Sequence, residues 1–174
     1  MKVQHCTVMA VLLSLSLLAG CATTNSASIN PEAGAPSRLI VHFGNMQNSD
    51  GQLLVFVHDN SSTYYSDDDT SRKDFNAFRF VKVKPVAPVT TVILEDVPAG
   101  RYAVGAVHDE DNDGSLDRMW FPFAGMPSES YGISNDVHSP FSKASFEKAL
   151  IEVKEPVTEI SIKMSTHLRK LVGH

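Results

Sequence analysis

Arg101-Tyr102-Ala103-Val104-Gly105-Ala106-Val107 sets Tyr102, Val104 and Ala106 at every second position, the period of a half-buried strand. The strand runs, through His108, into Asp109-Glu110-Asp111-Asn112-Asp113-Gly114-Ser115-Leu116-Asp117. That run has carboxylates at loop positions one, three, five and nine around a glycine at six, which is calcium-loop spacing. Four anionic side chains drawn into one tight loop repel one another unless a cation neutralises them, and a hard cation suits oxygen ligands. An EF-hand would carry Glu at position twelve and a helix on each side. Here position twelve is Trp120, a strand precedes, and Trp120-Phe121-Pro122-Phe123 follows without helical period. The expectation is a calcium loop at the edge of a sheet, with Asp109, Asp111, Asp113, Asp117 and the Ser115 carbonyl as ligands. The missing ligand is expected from Glu110, Asp96, Glu129 or Asp136, or from water. The competing reading is an acidic hairpin around Asn112-Asp113-Gly114 whose carboxylates face water.

Period-two alternation recurs in Leu39-Val41-Phe43, Leu53-Val55-Val57 and Ile160-Ile162-Met164. Ala77 to Lys84 switches parity between Phe78-Phe80 and Val81-Val83, as a bulge or a strand buried on both faces would. Val89 to Leu94 and Ala149 to Val153 supply two more strands, and Ser145 to Ala149 one helical turn. Asp96 to Gly100 reads as a turn. About seven short strands joined by Gly, Pro, Asn and Asp turns predict an all-β fold, an antiparallel β-sandwich of immunoglobulin-like or transthyretin-like form. Trp120 to Ser142 reads as a long turn-rich segment, functional or packed over a sheet. The tail from His167 to Leu171 is expected to fray.

Residues 1–21 have the form of an export signal. Lys2 gives a positive start, Val8 to Leu18 an apolar stretch too short to span a bilayer, and Leu18-Ala19-Gly20-Cys21 the close. The close resembles the lipobox of bacterial lipoproteins, which implies a Cys21 carrying a diacylglycerol thioether and an N-acyl chain, hence a stable membrane anchor. Ala22 after it implies sorting to the outer membrane, facing the periplasm. With Cys6 lost and Cys21 acylated, the mature domain has no thiol. Residues 22–37, rich in Ala, Thr, Asn, Ser, Pro and Gly, read as a flexible tether, and residues 38–174 as one domain. Of 15 basic residues the leader takes Lys2, leaving 14 against 20 acidic, a net charge of −6 with His neutral. That balance argues against nucleic acid and against electrostatic adhesion to anionic lipid.

His108-Asp109, Asn112, Gly114 and Leu116-Asp117, then Gly125-Met126-Pro127, Glu129, Tyr131-Gly132, Ser134-Asn135 and Phe146-Glu147-Ala149, resemble the bacterial secreted family labelled domain of unknown function 2141. Val97-Pro98-Ala99-Gly100-Arg101-Tyr102-Ala103-Val104 is similar to its turn-and-strand entry. The resemblance covers most of residues 38–164 and implies an extracytoplasmic β-sandwich without bringing a catalytic roster. The insertion from Tyr64 to Asp74 departs from it.

Two strands end alike, in Val57-His58-Asp59 and Val107-His108-Asp109. Were their ends adjacent, two imidazoles and two carboxylates could hold zinc or copper; otherwise each His bonds a neighbouring loop. Asp67-Asp68-Asp69 lacks ligand spacing and reads as solvated. Trp120, Phe123 and Tyr131, with Phe121, are candidates for a platform under a sugar ring or peptide; the alternative is that they cap the core. Nucleophile elbow, P-loop, dinucleotide fingerprint and HExxH are all missing. The sequence thus favours a lipid-anchored cell-envelope module that is non-catalytic, with a recognition or structural role toward envelope glycan or protein. The alternative is a hydrolase acting on glycan or ester through a cryptic site.

Overall fold

A computed structural model describes residues 36–66, 76–121 and 123–173. The leader with Cys21, most of the tether and the Asp67-Asp68-Asp69 run lie outside the described residues. Within them the chain forms strands β1 (Pro36–Gly44), β2 (Gln52–His58), β3 (Arg79–Val83), β4 (Val89–Pro98), β5 (Gly100–Asp109), β6 (Tyr131–Ile133), β7 (Leu150–Val153) and β8 (Val157–Lys163). The helices α1 (Ser61–Tyr64), α2 (Phe146–Ala149) and α3 (His167–Leu171) are each about one turn.

The fold is an all-β sandwich. Its smaller sheet has the order β4-β1-β8, and its larger sheet runs β3-β2-β5-β6 with β7 also paired to β5. Facing side chains of the two sheets make the main core. Leu39, Val41 and Phe43 of β1, Val92 and Leu94 of β4 and Ile162 of β8 pack against Leu53, Val55 and Val57 of β2 and Tyr102, Val104 and Ala106 of β5. These are the residues whose alternation marks the strands. Successive side chains point to opposite faces, so a period of two puts every apolar member on the same side.

Four details differ from the sequence reading. The β1–β8 ladder is parallel, Val41 facing Ile160, within an otherwise antiparallel set. β1 begins at Pro36, so the tether stops two residues early, and Ser37 is buried with its hydroxyl donating to Val97 O at 2.8 Å. Asp96 and Val97 belong to β4 rather than to a turn. The ladder slips between Ser37 and Leu39, and Asp96 takes a φ of +57° there, tolerated by a short polar side chain. The chain then passes from one sheet to the other at Ala99. Finally, β6 arises inside the stretch read as a loop, because its three residues are too few for periodicity to register. In β3 neither expected cause holds in full: the register to β2 is unbroken, and half-buried side chains go to both faces, Val81 and Val83 to the main core and Phe80 onto Phe56 on the opposite side, while Arg79 and Lys82 stay exposed.

β2 is buried along both faces from Leu53 onward, and β5 nearly so. The outer face of the larger sheet carries two satellite clusters, Leu54, Phe56 and Val107 in one and Tyr64, Ala103, Ile133, Ala144, Phe146 and Ala149 in the other. The long connections after β5 and around α2 therefore cover a sheet face. On the inner side, Gly132 of β6 faces β8 so closely that an added Cβ would lie 2.6 Å from Ile162 Cγ2 and 2.8 Å from Met164 Sδ. Gly132→Ala should cost about 1–3 kcal/mol by overpacking, a fall of roughly 3–10 °C in melting temperature. A melting curve unchanged by the substitution would mean that β8 yields without cost.

Candidate functional site

The acidic loop leaves the end of β5 as expected, and its first residue is anchored deeply. Asp109 is fully buried, and its carboxylate accepts from Gln52 Nε2 at 2.6 Å, from Gly114 N–H at 2.9 Å and from Asp113 N–H at 3.2 Å. Gly51, at φ +62°, lets the chain entering β2 lie against Asp109 and Glu110, where an added Cβ would collide with their backbone. Asp111 Oδ1 accepts from Asp113 N–H at 3.1 Å, and Asp113 Oδ1 from Ser115 N–H at 2.7 Å. Asn112 and Gly114 are left-handed, at φ +65° and +87°, which curls the loop back on itself.

Glu129 completes the arrangement. Beyond Asp117 the chain forms a short hairpin, with Ser128 N–H donating to Asp117 O and Met119 N–H to Met126 O. Glu129 follows directly, and its two oxygens accept from Glu110 N–H at 2.9 Å and Asp117 N–H at 3.1 Å, clamping both ends of the loop. One carboxylate oxygen each from Asp109, Asp111 and Glu129 lies within 4.8 Å of the others. Of the four side chains considered for the missing ligand, Glu129 is the one in this group. Asp96 sits at the opposite end of β5, Asp136 accepts from Lys163 N–H on β8, and Glu110 faces His108 at 3.7 Å. Asp113, Ser115 and Asp117 share the loop but stand outside the converging trio. Partial burial, then the charges of Asp109 and Asp117, push the Glu129 carboxyl up to about 7 against its two hydrogen bonds. The Asp117 carboxyl is also raised, by desolvation and by Asp111, Asp113 and Asp109.

The aromatics do not share one surface. Trp120 is 92% exposed and Phe121 79%, so neither caps the core, and Phe123 is half-buried on the same hairpin. Tyr131 instead lies over the outer face of the larger sheet. His167 Nε2 donates to Pro140 O at 3.0 Å, leaving Nδ1 to receive the Tyr131 hydroxyl at 3.1 Å. These bonds hold α3 against the sheet, with His167 buried, so the tail does not fray. Burial pushes the Tyr131 hydroxyl up to about 12.

Tyr131 and His167 line a cavity of about 350 Å³ that sequence reasoning missed. Its floor is the outer face of β2, β5 and β6, and its walls come from the Asp117–Glu129 hairpin, α1 and the segment before α2. Leu54, Phe56 and Val107, which fall off the core parity of their strands, were the available signal. His58 lies at its margin, in a T-shaped contact with Tyr64. The two His-Asp pairs do not meet: β2 and β5 are antiparallel, His58 faces Ala103 and Asp109 faces Gln52, so the pairs stand at opposite ends of the sheet. Each imidazole bonds a neighbouring segment, His108 Nε2 donating to Asp50 O at 2.8 Å and His58 Nδ1 lying 3.2 Å from Thr63 Oγ1.

Residues 41–161 match the family described as an uncharacterized protein conserved in bacteria (DUF2141). The chain belongs to this family. The DUF2141 match runs from within β1 to within β8, so it spans both sheets, the acidic loop and the hairpin. No curated protein and no solved structure matches the chain.

The imidazole of His58 is pushed down to about 4, first by burial and then by the Lys143 ammonium, against a smaller opposing effect of Asp59. Its folded value lies below the unfolded value of 6.5, so the unfolded chain binds the proton better. The stability this neutral imidazole allows is complete above pH 6.5 and is lost as pH falls toward 4. His58→Gln should therefore flatten the decline in melting temperature between pH 7 and 4.5; parallel declines in variant and wild type would refute the assignment.

Proposed function

We propose that the chain is a lipid-anchored cell-envelope domain whose Asp109–Asp117 loop binds calcium and thereby fixes the hairpin that walls the cavity, a non-catalytic module for recognition. The observation that carries this reading is the convergence of Asp109, Asp111 and Glu129 oxygens within 4.8 Å. Three carboxylates at that spacing repel one another while each is charged; the Glu129 carboxyl itself is raised first by partial burial and then by the charges of Asp109 and Asp117. A calcium ion accepts six to eight oxygens at about 2.3–2.6 Å, so it can draw the trio together and take further ligands from Asp113, Asp117, the Ser115 carbonyl or water. Glu129 also bonds both ends of the loop, so whatever neutralises it steadies the hairpin from Asp117 to Ser128.

Binding to the native state alone stabilises by RT ln(1 + [Ca]/Kd). At millimolar calcium that is about 2.7 kcal/mol for a Kd near 10 μM and about 0.4 kcal/mol for one near 1 mM. Calorimetry should therefore detect calcium binding, chelator should lower the melting temperature, and Asp111→Ala or Glu129→Gln should remove most of that response. Magnesium should substitute poorly, because it demands a tighter octahedron. No heat of binding, with melting indifferent to chelator, would reduce the loop to an acidic turn. A fragment for this work has to begin before Pro36, since β1 starts there.

The anchor rests on Leu18-Ala19-Gly20-Cys21 and the short apolar stretch before it. Metabolic palmitate should label the wild type, and Cys21→Ser should abolish the label and free the protein from membranes. A wild type left unlabelled would remove the lipid anchor from this reading.

A further inference from the structure

The stretch from Met119 to Met126 carries no charged side chain, and the indole N–H of Trp120 is its one side-chain hydrogen-bond donor. It forms the end of the hairpin that follows the acidic loop, and its backbone is tied. Met119 N–H donates to Met126 O at 2.7 Å, Gly125 N–H to Met119 O at 2.9 Å and Met126 N–H to Phe123 O at 3.0 Å, while Arg118 Nη1 braces Gly125 O at 3.0 Å. Yet Trp120 and Phe121 project from this braced turn almost fully exposed, so the domain gains nothing from burying them. An uncharged tip with paired backbone groups suits an apolar medium, where an unpaired N–H or C=O is costly. Trp is enriched where hydrocarbon meets water, because its ring is apolar and its N–H polar.

The reach of the chain admits a bilayer as that medium. β1 begins at Pro36, opposite Pro98 and beside the start of β5, whereas the acidic loop and its hairpin leave the far end of β5, a strand of ten residues and thus about 33 Å long. Residues 22–35, between Cys21 and β1, span at most about 50 Å. The tether is therefore longer than the sheet, and either end of the sandwich can meet the surface that holds the anchor. Tethering also raises the effective concentration of that surface, so two aromatics suffice where a free protein would detach. We propose that Trp120 and Phe121 insert into the interface of the bilayer that carries the anchor, a second membrane contact beside the lipid. This deepens the lipid-anchored reading above and rests on it for the tether, but requires neither calcium nor the cavity.

Trp120 is the sole tryptophan of the chain, so its emission reports this contact alone. The test places the full chain in phosphatidylcholine vesicles, either plain or brominated on the acyl chains; the lipid is zwitterionic because an acidic protein is repelled by anionic ones. Brominated lipid should quench Trp120, and acrylamide in the water phase should lose access to it. Phe121→Ser should reduce both effects and Phe121→Leu should retain them, with melting unchanged. A chain that floats with the vesicles while Trp120 emits equally from plain and brominated lipid would overturn the proposal. So would emission that shifts to the blue as the chain is concentrated without lipid, which would assign the tip to a second copy. Should the chain not float, the anchor fails separately and excess vesicles decide: quenching of Trp120 supports the aromatic contact, and its absence refutes it.

Discussion

A sheet that buries both of its faces governs the rest of this structure. β2 presents apolar side chains in both directions, Leu53, Val55 and Val57 to the opposing sheet and Leu54 and Phe56 away from it. Water cannot be left against the second set without losing roughly 25 cal/mol for each Å² of apolar surface it would otherwise cover. The smaller sheet can cover only one side. The other side is closed by segments with almost no regular structure of their own, and they are held there by specific bonds. Glu129 fixes the hairpin, Tyr131 and His167 fix α3, and the Ser134 hydroxyl bridges Val104 N–H and Ala149 O. A cover assembled from separate pieces rarely fits without a gap, and here the gap falls over Gly105, a strand residue that lacks a side chain.

The inner face was legible in the sequence because its signal is periodic. Tyr102, Val104 and Ala106 mark β5 as plainly as Leu39, Val41 and Phe43 mark β1, and the core between the sheets is made of them. The outer face was not, because its cover obeys no period: Tyr64, Ala144 and Phe146 come from short helical turns and coil, and their neighbourhood to Ala103 and Ile133 is created by the fold alone. β6 escaped for the same reason that makes it effective, since three residues suffice to occupy the free edge of β5 beside β7.

The acidic loop divides in the same way. Its local spacing named Asp109 and Asp111, but spacing within nine residues could not choose among Glu129, Glu110, Asp96 and Asp136, whose distances from the loop depend on the path of the whole chain. Direction decided the fate of the two His-Asp pairs. Strands that pair antiparallel put like ends of their sequences at unlike ends of the sheet, so identical dipeptides at two strand ends are kept apart by about the length of a strand.

The parallel ladder between β1 and β8 also orders events in time. Among the described strands β1 is the first to leave the ribosome and β8 the last, so the centre of the smaller sheet lacks one neighbour until the other described strands have been made. Until then Leu39, Val41 and Phe43 can be screened only by β4 and by whatever of the larger sheet has formed. A chain stopped short of residue 157 would keep an open backbone edge along β1, a template for pairing with a second molecule. Completeness of synthesis is thus written into the hydrogen bonding of the first strand.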